Sequence, residues 1–253
     1  MRFWVALVVV LASAAPAAGQ APAAPRPAPD FLFSPPDGSV ALRGSWLFAS
    51  AGSDWYDFVT NHLTLDQDDF NAPGFGFDLS VAVAPRLDIQ FGLDYSNARV
   101  SSEYRDFVDN NRLPITQQTR LRELNLSGNI KVALTERGRE VSRYPWVPRR
   151  FVPYVGGGGG VLWFDVNQTG DFVDFVDFSV FTDVFRSRGW TPSAQLFGGV
   201  DVRVFKRLYL MFDGRYLWAA GELGRDWIDF DPIDLAGFRL SGGINVVFAG
   251  RPR

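Results

Sequence analysis

AGFRLSGGINVVF, residues 236–248, alternates in character along its length. Ala236, Phe238, Leu240, Ile244, Val246 and Phe248 are apolar, while Gly237, Arg239, Ser241, Gly243 and Asn245 lie between them, with Val247 the one apolar exception. A period of two places the two sets on opposite faces of a β-strand. The Arg239–Asn245 side cannot face hydrocarbon, and the Phe238–Ile244 side is poorly placed in water. One face asks for lipid and the other for a polar interior.

The same test applied upstream gives the same answer. Leu42, Trp46 and Phe48 alternate with Arg43 and Ser45; Phe75, Phe77, Leu79 and Val81 with Asp78 and Ser80; Ile89, Phe91, Leu93 and Tyr95 with Asp88, Gln90 and Asp94. Further on, Leu124, Leu126, Ile130 and Val132 alternate with Glu123, Asn125, Asn129 and Lys131; Leu196, Val200 and Val202 with Gln195, Asp201 and Arg203; Leu210, Phe212 and Tyr216 with Asp213 and Arg215. No charge falls on the apolar parity. On a barrel's lipid face an Arg or Lys costs roughly 2–4 kcal/mol at the bilayer midplane, which explains the absence. A soluble sandwich with the polar faces in water is the competing reading.

The remaining segment, Phe151 to Phe164, holds five consecutive glycines, Gly156 to Gly160, and its facing does not follow from the sequence. No P-loop Lys-Ser/Thr follows them, so they read as a kinked or closely approached strand that leaves lumen space for arginines opposite. Eight segments result, joined alternately by long connections (49–74, 97–122, 165–193, 219–235) and shorter ones (85–86, 135–150, 205–207). The expectation is an all-β fold: an eight-stranded antiparallel transmembrane up-and-down β-barrel with long extracellular loops. Trp46, Phe48, Tyr95, Trp163, Trp190, Tyr216 and Trp218 are assigned to an outer aromatic girdle, and Tyr154, Tyr209 and Phe248 to an inner one.

Before the barrel, Met1-Arg2 and the apolar run Phe3 to Ala15 fall short of the roughly 18 residues of a membrane helix and read as a secretory signal. Cleavage is placed after Gly19, with Ala12-Ser13-Ala14 the alternative. The division is thus 1–19 signal peptide, 20–38 Ala/Pro-rich periplasmic leader, 39–248 barrel and 249–253 tail. The 253 residues carry a net charge of −3, which offers no basic field for nucleic acid. With no cysteine, the chain has no disulfide, thiolate metal site, Cys nucleophile or lipoprotein anchor.

Pro153-Tyr154-Val155-Gly156 opening a glycine-rich strand, and the closing Gly243-Ile244-Asn245-Val246-Val247-Phe248, resemble the small Gram-negative outer-membrane barrels of the OmpA, OmpX and OmpW type over about residues 39–248. The resemblance implies the outer membrane of the cell envelope, with lipid and lipopolysaccharide as neighbours. It also implies that Gly243, Val246 and Phe248 serve as the signal read by the barrel assembly machinery. Two departures stand out: residues 249–253 follow the terminal aromatic, and no peptidoglycan-binding domain is appended.

Function then rests on lumen and loops. A narrow barrel must pair its inward charges, so Arg43, Asp78, Asp88, Asp94, Glu123, Lys131, Asp201, Arg203, Asp213, Arg215 and Arg239 are predicted to form a network that plugs the lumen. His62, the sole histidine, lies in the first long loop without an adjacent Ser or carboxylate signature, and no catalytic residue or cofactor is assigned. Asp229, Asp231 and Asp234 are weak metal candidates, lacking the EF-hand glycine and distal glutamate. Loop acids interleaved with Phe and Trp, as in Asp171 to Phe178, suit a protein or glycan ligand. The leading expectation is a non-enzymatic structural or binding barrel. A narrow conduit for small or apolar solutes, opening near the glycine strand, is the alternative, and a lipid-modifying enzyme a third.

Overall fold

The computed structural model describes residues 31–109, 111–141 and 145–249. The signal, most of the leader and the tail beyond Ala249 lie outside them. Eight strands form the body: β1 (Pro36–Ala49), β2 (Ala72–Ala84), β3 (Leu87–Val108), β4 (Pro114–Ala133), β5 (Phe151–Val173), β6 (Val180–Arg203), β7 (Leu208–Gly221) and β8 (Gly237–Ala249). Each pairs antiparallel with its chain neighbour, and β8 returns to β1 from Gly237↔Ala49 to Phe248↔Gly38. Closure leaves no sheet edge, the condition for a β-structure to cross a bilayer.

The parity read from the sequence is the parity of the wall. Leu42, Phe75, Phe91, Ile130, Leu196, Phe212, Leu240 and Ile244 project outward and exposed, while Arg43, Asp78, Asp94, Glu123, Lys131, Arg215 and Arg239 are buried inside. A continuous apolar belt around a charged interior is the arrangement for lipid outside, and it excludes the water-facing sandwich for this part of the chain. The glycine strand now has a facing: Val152, Tyr154, Leu162 and Phe164 point inward and Phe151, Val155 and Val161 outward. It is paired along both edges, to β4 from Tyr154 to Gly170 and to β6 from Phe151 to Val173, so no gap opens beside the glycines. The space they leave is filled by Phe197 and Asn129, not by arginines: a Cβ on Gly156 would lie 2.4 Å from the Phe197 ring, and one on Gly158 2.6 Å from Asn129 Oδ1. Tyr154 and Tyr209 also differ from expectation. Both are buried in the lumen, because their odd-even position places them with the inward set, and only Phe248 of the predicted inner girdle faces out.

Two of the four long connections are not loops. Strands β3 and β4 run 22 and 20 residues, and β5 and β6 run 23 and 24, against 13 or 14 for the other four. A crossing needs about 9–11 residues, so these four strands continue as two tall hairpins through 97–122 and 165–193. Above the girdle the alternation inverts. Leu121, Ile115, Val166 and Phe172 turn inward and buried, while Arg99, Arg122, Arg186 and Arg188 turn outward. The extensions stand in water, where the apolar side must face the axis instead of the solvent.

Their axis is filled by the first long connection. Its helix α1 (Asp54–His62) and the 3-10 turn Gln67–Phe70 bury Trp55, Tyr56, Val59, Leu63, Leu65 and Phe70 against Leu121, Leu162, Phe164 and Leu217. Trp55 meets Tyr56, Phe70 and Trp227 edge to face, with ring centroids 5.0, 5.8 and 6.3 Å apart. A nine-residue helix is too short to persist alone and stands here by its buried face. The last connection locks it, since the Asp234 carboxylate accepts the Gly52 N–H at 3.0 Å and Asp54 accepts the Asp231 N–H at 3.0 Å.

At the opposite end the turns are tight, except that 135–150 folds a small hairpin from Gly138–Glu140 and Trp146–Pro148. Leu32 and Trp146 exchange backbone hydrogen bonds of 2.8 Å in both directions, and β1 begins at Pro36. The last part of the expected leader is therefore tied to the barrel. Short turns belong to the periplasmic end of bacterial barrels and long connections to the outside, which orients this one.

Candidate functional site

The interior is built in two layers. The lower one lies within the apolar belt and centres on Asp94 of β3. Arg43 of β1 grips it at 2.7 and 3.0 Å, Arg215 of β7 reaches it at 3.3 Å, and Arg239 of β8 at 3.2 Å. Arg43 also forks onto Asp78 of β2 at 2.8 and 3.1 Å. Arg215 continues to Asp213 at 3.4 Å, and Arg239 to Glu123 of β4 at 3.7 Å, whose carboxylate accepts the Ser96 hydroxyl at 3.2 Å. Six strands are tied across the lumen by planar guanidinium forks suited to carboxylates.

Backbone choices make this possible. Arg43 faces Gly243 on one side and Gly76 on the other in the ladder. A Cβ at Gly76 would lie 2.6 Å from the Arg43 guanidinium carbon, and one at Gly243 2.1 Å from the Leu42 carbonyl. These glycines hold open the room for the arginine. Gly243 thus packs against Arg43, while Val246 and Phe248, the other two residues expected in an assembly signal, face outward.

Towards the inner mouth, Lys131 pairs with Asp201 at 2.9 Å and lies 3.7 Å over the Tyr154 ring, and Arg137 pairs with Asp88 at 2.8 Å. Arg137 is a member the sequence reading missed. It sits in a turn outside the strand alternation, where parity has nothing to say. Arg203 lies half-buried at the inner end of β6, opposite Tyr209. Neutral partners fill the β4–β6 side, where Gln195 donates to Ser127 and Asn129 at 2.8 Å and Ser193 to Asn125 at 2.7 Å. Arg215 stacks 4.6 Å over Phe197. Cavities of about 50 Å³ at the inner mouth, beside Lys131 and Tyr154, and about 10 Å³ beside Asp94 and Arg215 lie along the lumen.

The upper layer is the apolar cap of α1 and its neighbours. Burial, with Glu123 and Asp234 nearby, pushes the Tyr56 phenol well above its usual pKa. A helical spacing was present in the sequence at Trp55, Tyr56, Val59 and Leu63, following Ser53-Asp54. That signal could have found the cap.

His62 ends α1. Its Nδ1 lies 2.9 Å from the Phe58 carbonyl oxygen, and its ring rests 4.5 Å from Phe58 and 5.3 Å from Phe175. The ring is held by aromatics and its own helix. Asp229 and Asp231 are exposed at the surface, while Asp234 spends its carboxylate on the N–H groups of Gly52 and Ala236. Among the described residues no three acidic or histidine side chains gather where a metal could be held.

The other exposed feature of note is the β5–β6 tip. Asp174 accepts the Val176 N–H at 2.8 Å, and its carbonyl accepts the Phe178 N–H at 2.7 Å. The Ser179 N–H, 2.9 Å from Asp177, holds that carboxyl below its ordinary pKa. Phe178 takes a left-handed backbone with φ 61°, uncommon for a bulky residue, and stacks on Phe107 at 5.9 Å.

No family model and no curated protein matches this sequence. Solved structures do resemble it. OprG from Pseudomonas aeruginosa has a TM-score of 0.48 at 12% identity, covering 87% of this chain and 100% of that one. Neisserial surface protein A gives 0.46 at 12%, covering 84% and 97%. The attachment invasion locus protein Ail of Yersinia pestis, in complex with the heparin analogue sucrose octasulfate, gives 0.44 at 9%, covering 83% and 99%. None of these likenesses bears on what this chain binds. Its own strand order, closure and apolar belt make it an eight-stranded transmembrane β-barrel.

Proposed function

We propose that this chain is a non-enzymatic outer-membrane barrel with a sealed lumen, working as a binding or adhesion protein through its outer hairpins. The observation that carries the reading is the double closure of the interior: a charge network across the membrane zone, roofed by a buried aromatic cap. A solute would have to break several buried ion pairs and displace the cap. Only the outside is then left to act. There the β5–β6 tip presents Phe175, Val176 and Phe178, with Val176 91% exposed, alongside the carboxylates of Asp174 and Asp177. Ordered apolar side chains rimmed by polar ones are the makings of a contact site.

The test uses the barrel in proteoliposomes on arrays of extracellular-matrix proteins and glycans. Wild type is expected to bind a subset, and the triple variant Phe175→Ser, Val176→Ser, Phe178→Ser to lose it with the barrel still folded. Binding unchanged in the variant would remove the tip from the account. On the assembly side, Gly243, Val246 and Phe248 are proposed as the stretch read by the barrel assembly machinery. Deleting Phe248 should lower the amount inserted in the outer membrane, and unchanged insertion would count against it.

A further inference from the structure

Above the outer girdle, the outward face of β3–β6 carries a second surface that the tip reading does not use. Cross-strand register sets it out in rows. The girdle row is Tyr95, Leu124, Trp163 and Trp190, three of them aromatic. One step up lie Asn97, Arg122, Asp165 and Arg188, and one step further Arg99, Arg120, Asn167 and Arg186. Five arginines and a single carboxylate thus occupy two adjacent rows on four neighbouring strands.

Arg99 stands directly opposite Arg120, a pairing that costs stability unless something answers it. Asp165, fully buried, is shared by two of the five: Arg186 at 2.7 and 3.2 Å, and Arg122, whose guanidinium also lies 5.8 Å from the Trp163 ring. Arg99 meets only the neutral Gln118 amide oxygen, at 2.9 Å. Arg120 and Arg188 have no carboxylate partner among the described residues. Strands lie about 4.8 Å apart and a two-residue step rises about 6.7 Å, so the forks span on the order of 15 Å immediately above the girdle row. Aromatic girdles mark the headgroup level of a membrane. Three arginines without a carboxylate partner at that level, beside the two guanidinium forks that Asp165 and Trp163 hold in place, make a surface suited to phosphate.

We infer that this face binds the phosphorylated headgroup of an outer-leaflet glycolipid, with Arg99, Arg120 and Arg188 supplying the open positions and Asp165 positioning Arg122 and Arg186. The lipid, not free phosphate, is the ligand, because the patch stands on the wall at headgroup height and adjoins the apolar belt that receives the acyl chains. It is independent of what the hairpin tip recognises.

The experiment titrates the full barrel in zwitterionic nanodiscs with bis-phosphorylated lipid A and with its dephosphorylated form, reading bound lipid by native mass spectrometry. Wild type should prefer the phosphorylated form by about tenfold or more. The variant Arg99→Gln, Arg120→Gln, Arg188→Gln removes only residues free of carboxylate partners, so its barrel and its tip binding should persist while the preference is lost. Equal binding of the two lipids by wild type, or an unchanged preference in the variant, would overturn the inference. Occupancy by inorganic phosphate that competes lipid A away at equal concentration would overturn the choice of a lipid.

Discussion

Asp94 and Arg43 are the two residues on which the membrane-zone network hangs. Asp94 receives three arginines, so its loss leaves cations buried without their partner. Asp94→Ala should destabilise the barrel by about 3–5 kcal/mol, the range for breaking a buried pair from one side. Urea unfolding from lipid vesicles would measure it. Asp88→Ala, facing the partly exposed Arg137 at the mouth, should cost clearly less. Gly76→Ala should also destabilise, since the methyl would enter the space of a guanidinium held on two carboxylates. That the inward charges share a face was readable from alternation. Which of them touch was not, because parity names a side and never a neighbour; Asp94 became central only once β1, β7 and β8 were brought round to meet β3. Tyr56 carries a pH prediction at the same scale. Its folded pKa is raised, so its contribution is fully present below the unfolded value of about 10 and is lost as pH climbs above that. Tyrosinate absorbance and loop proteolysis should therefore rise together above about pH 10, with the membrane-embedded strands still folded.

At the scale of elements, the wall strands were legible because lipid permits no charge on the outward side, which keeps the alternation clean. The extensions of β3–β6 were not. Their alternation persists with its sense inverted, Leu121 and Val166 inward and Arg122 and Arg188 outward, and a search for apolar outward residues stops at Tyr95 and Trp163. Helix α1 escaped for a different reason. It is nine residues long and carries Asp54 and Asp57, so its short apolar spacing at Trp55, Tyr56, Val59 and Leu63 is masked by loop-like charge, and its partners come from several distant segments. The cap is predicted to be a separable unit. Trp55→Ala empties the centre of the aromatic cluster and should cost about 3–5 kcal/mol locally. Limited proteolysis should then cut within residues 50–71 while the strands stay protected; equal protection in wild type and variant would show that Trp55 does not hold the cap.

At the scale of the whole molecule, two kinds of interior are stacked in one closed sheet. The membrane zone is apolar outside and ionic inside; the outer zone is polar outside and apolar inside, like an ordinary soluble core. The inversion at the girdle lets one sheet serve both surroundings, and the ion network is roofed by a layer of buried apolar side chains. Whether the lumen is sealed is read by single-channel recording in planar bilayers. The wild-type barrel should add no steady conductance steps, and neither should Trp55→Ala, because the Asp94 network still bars the path beneath the loosened cap. Large, steady conductance from the wild-type protein would contradict the account.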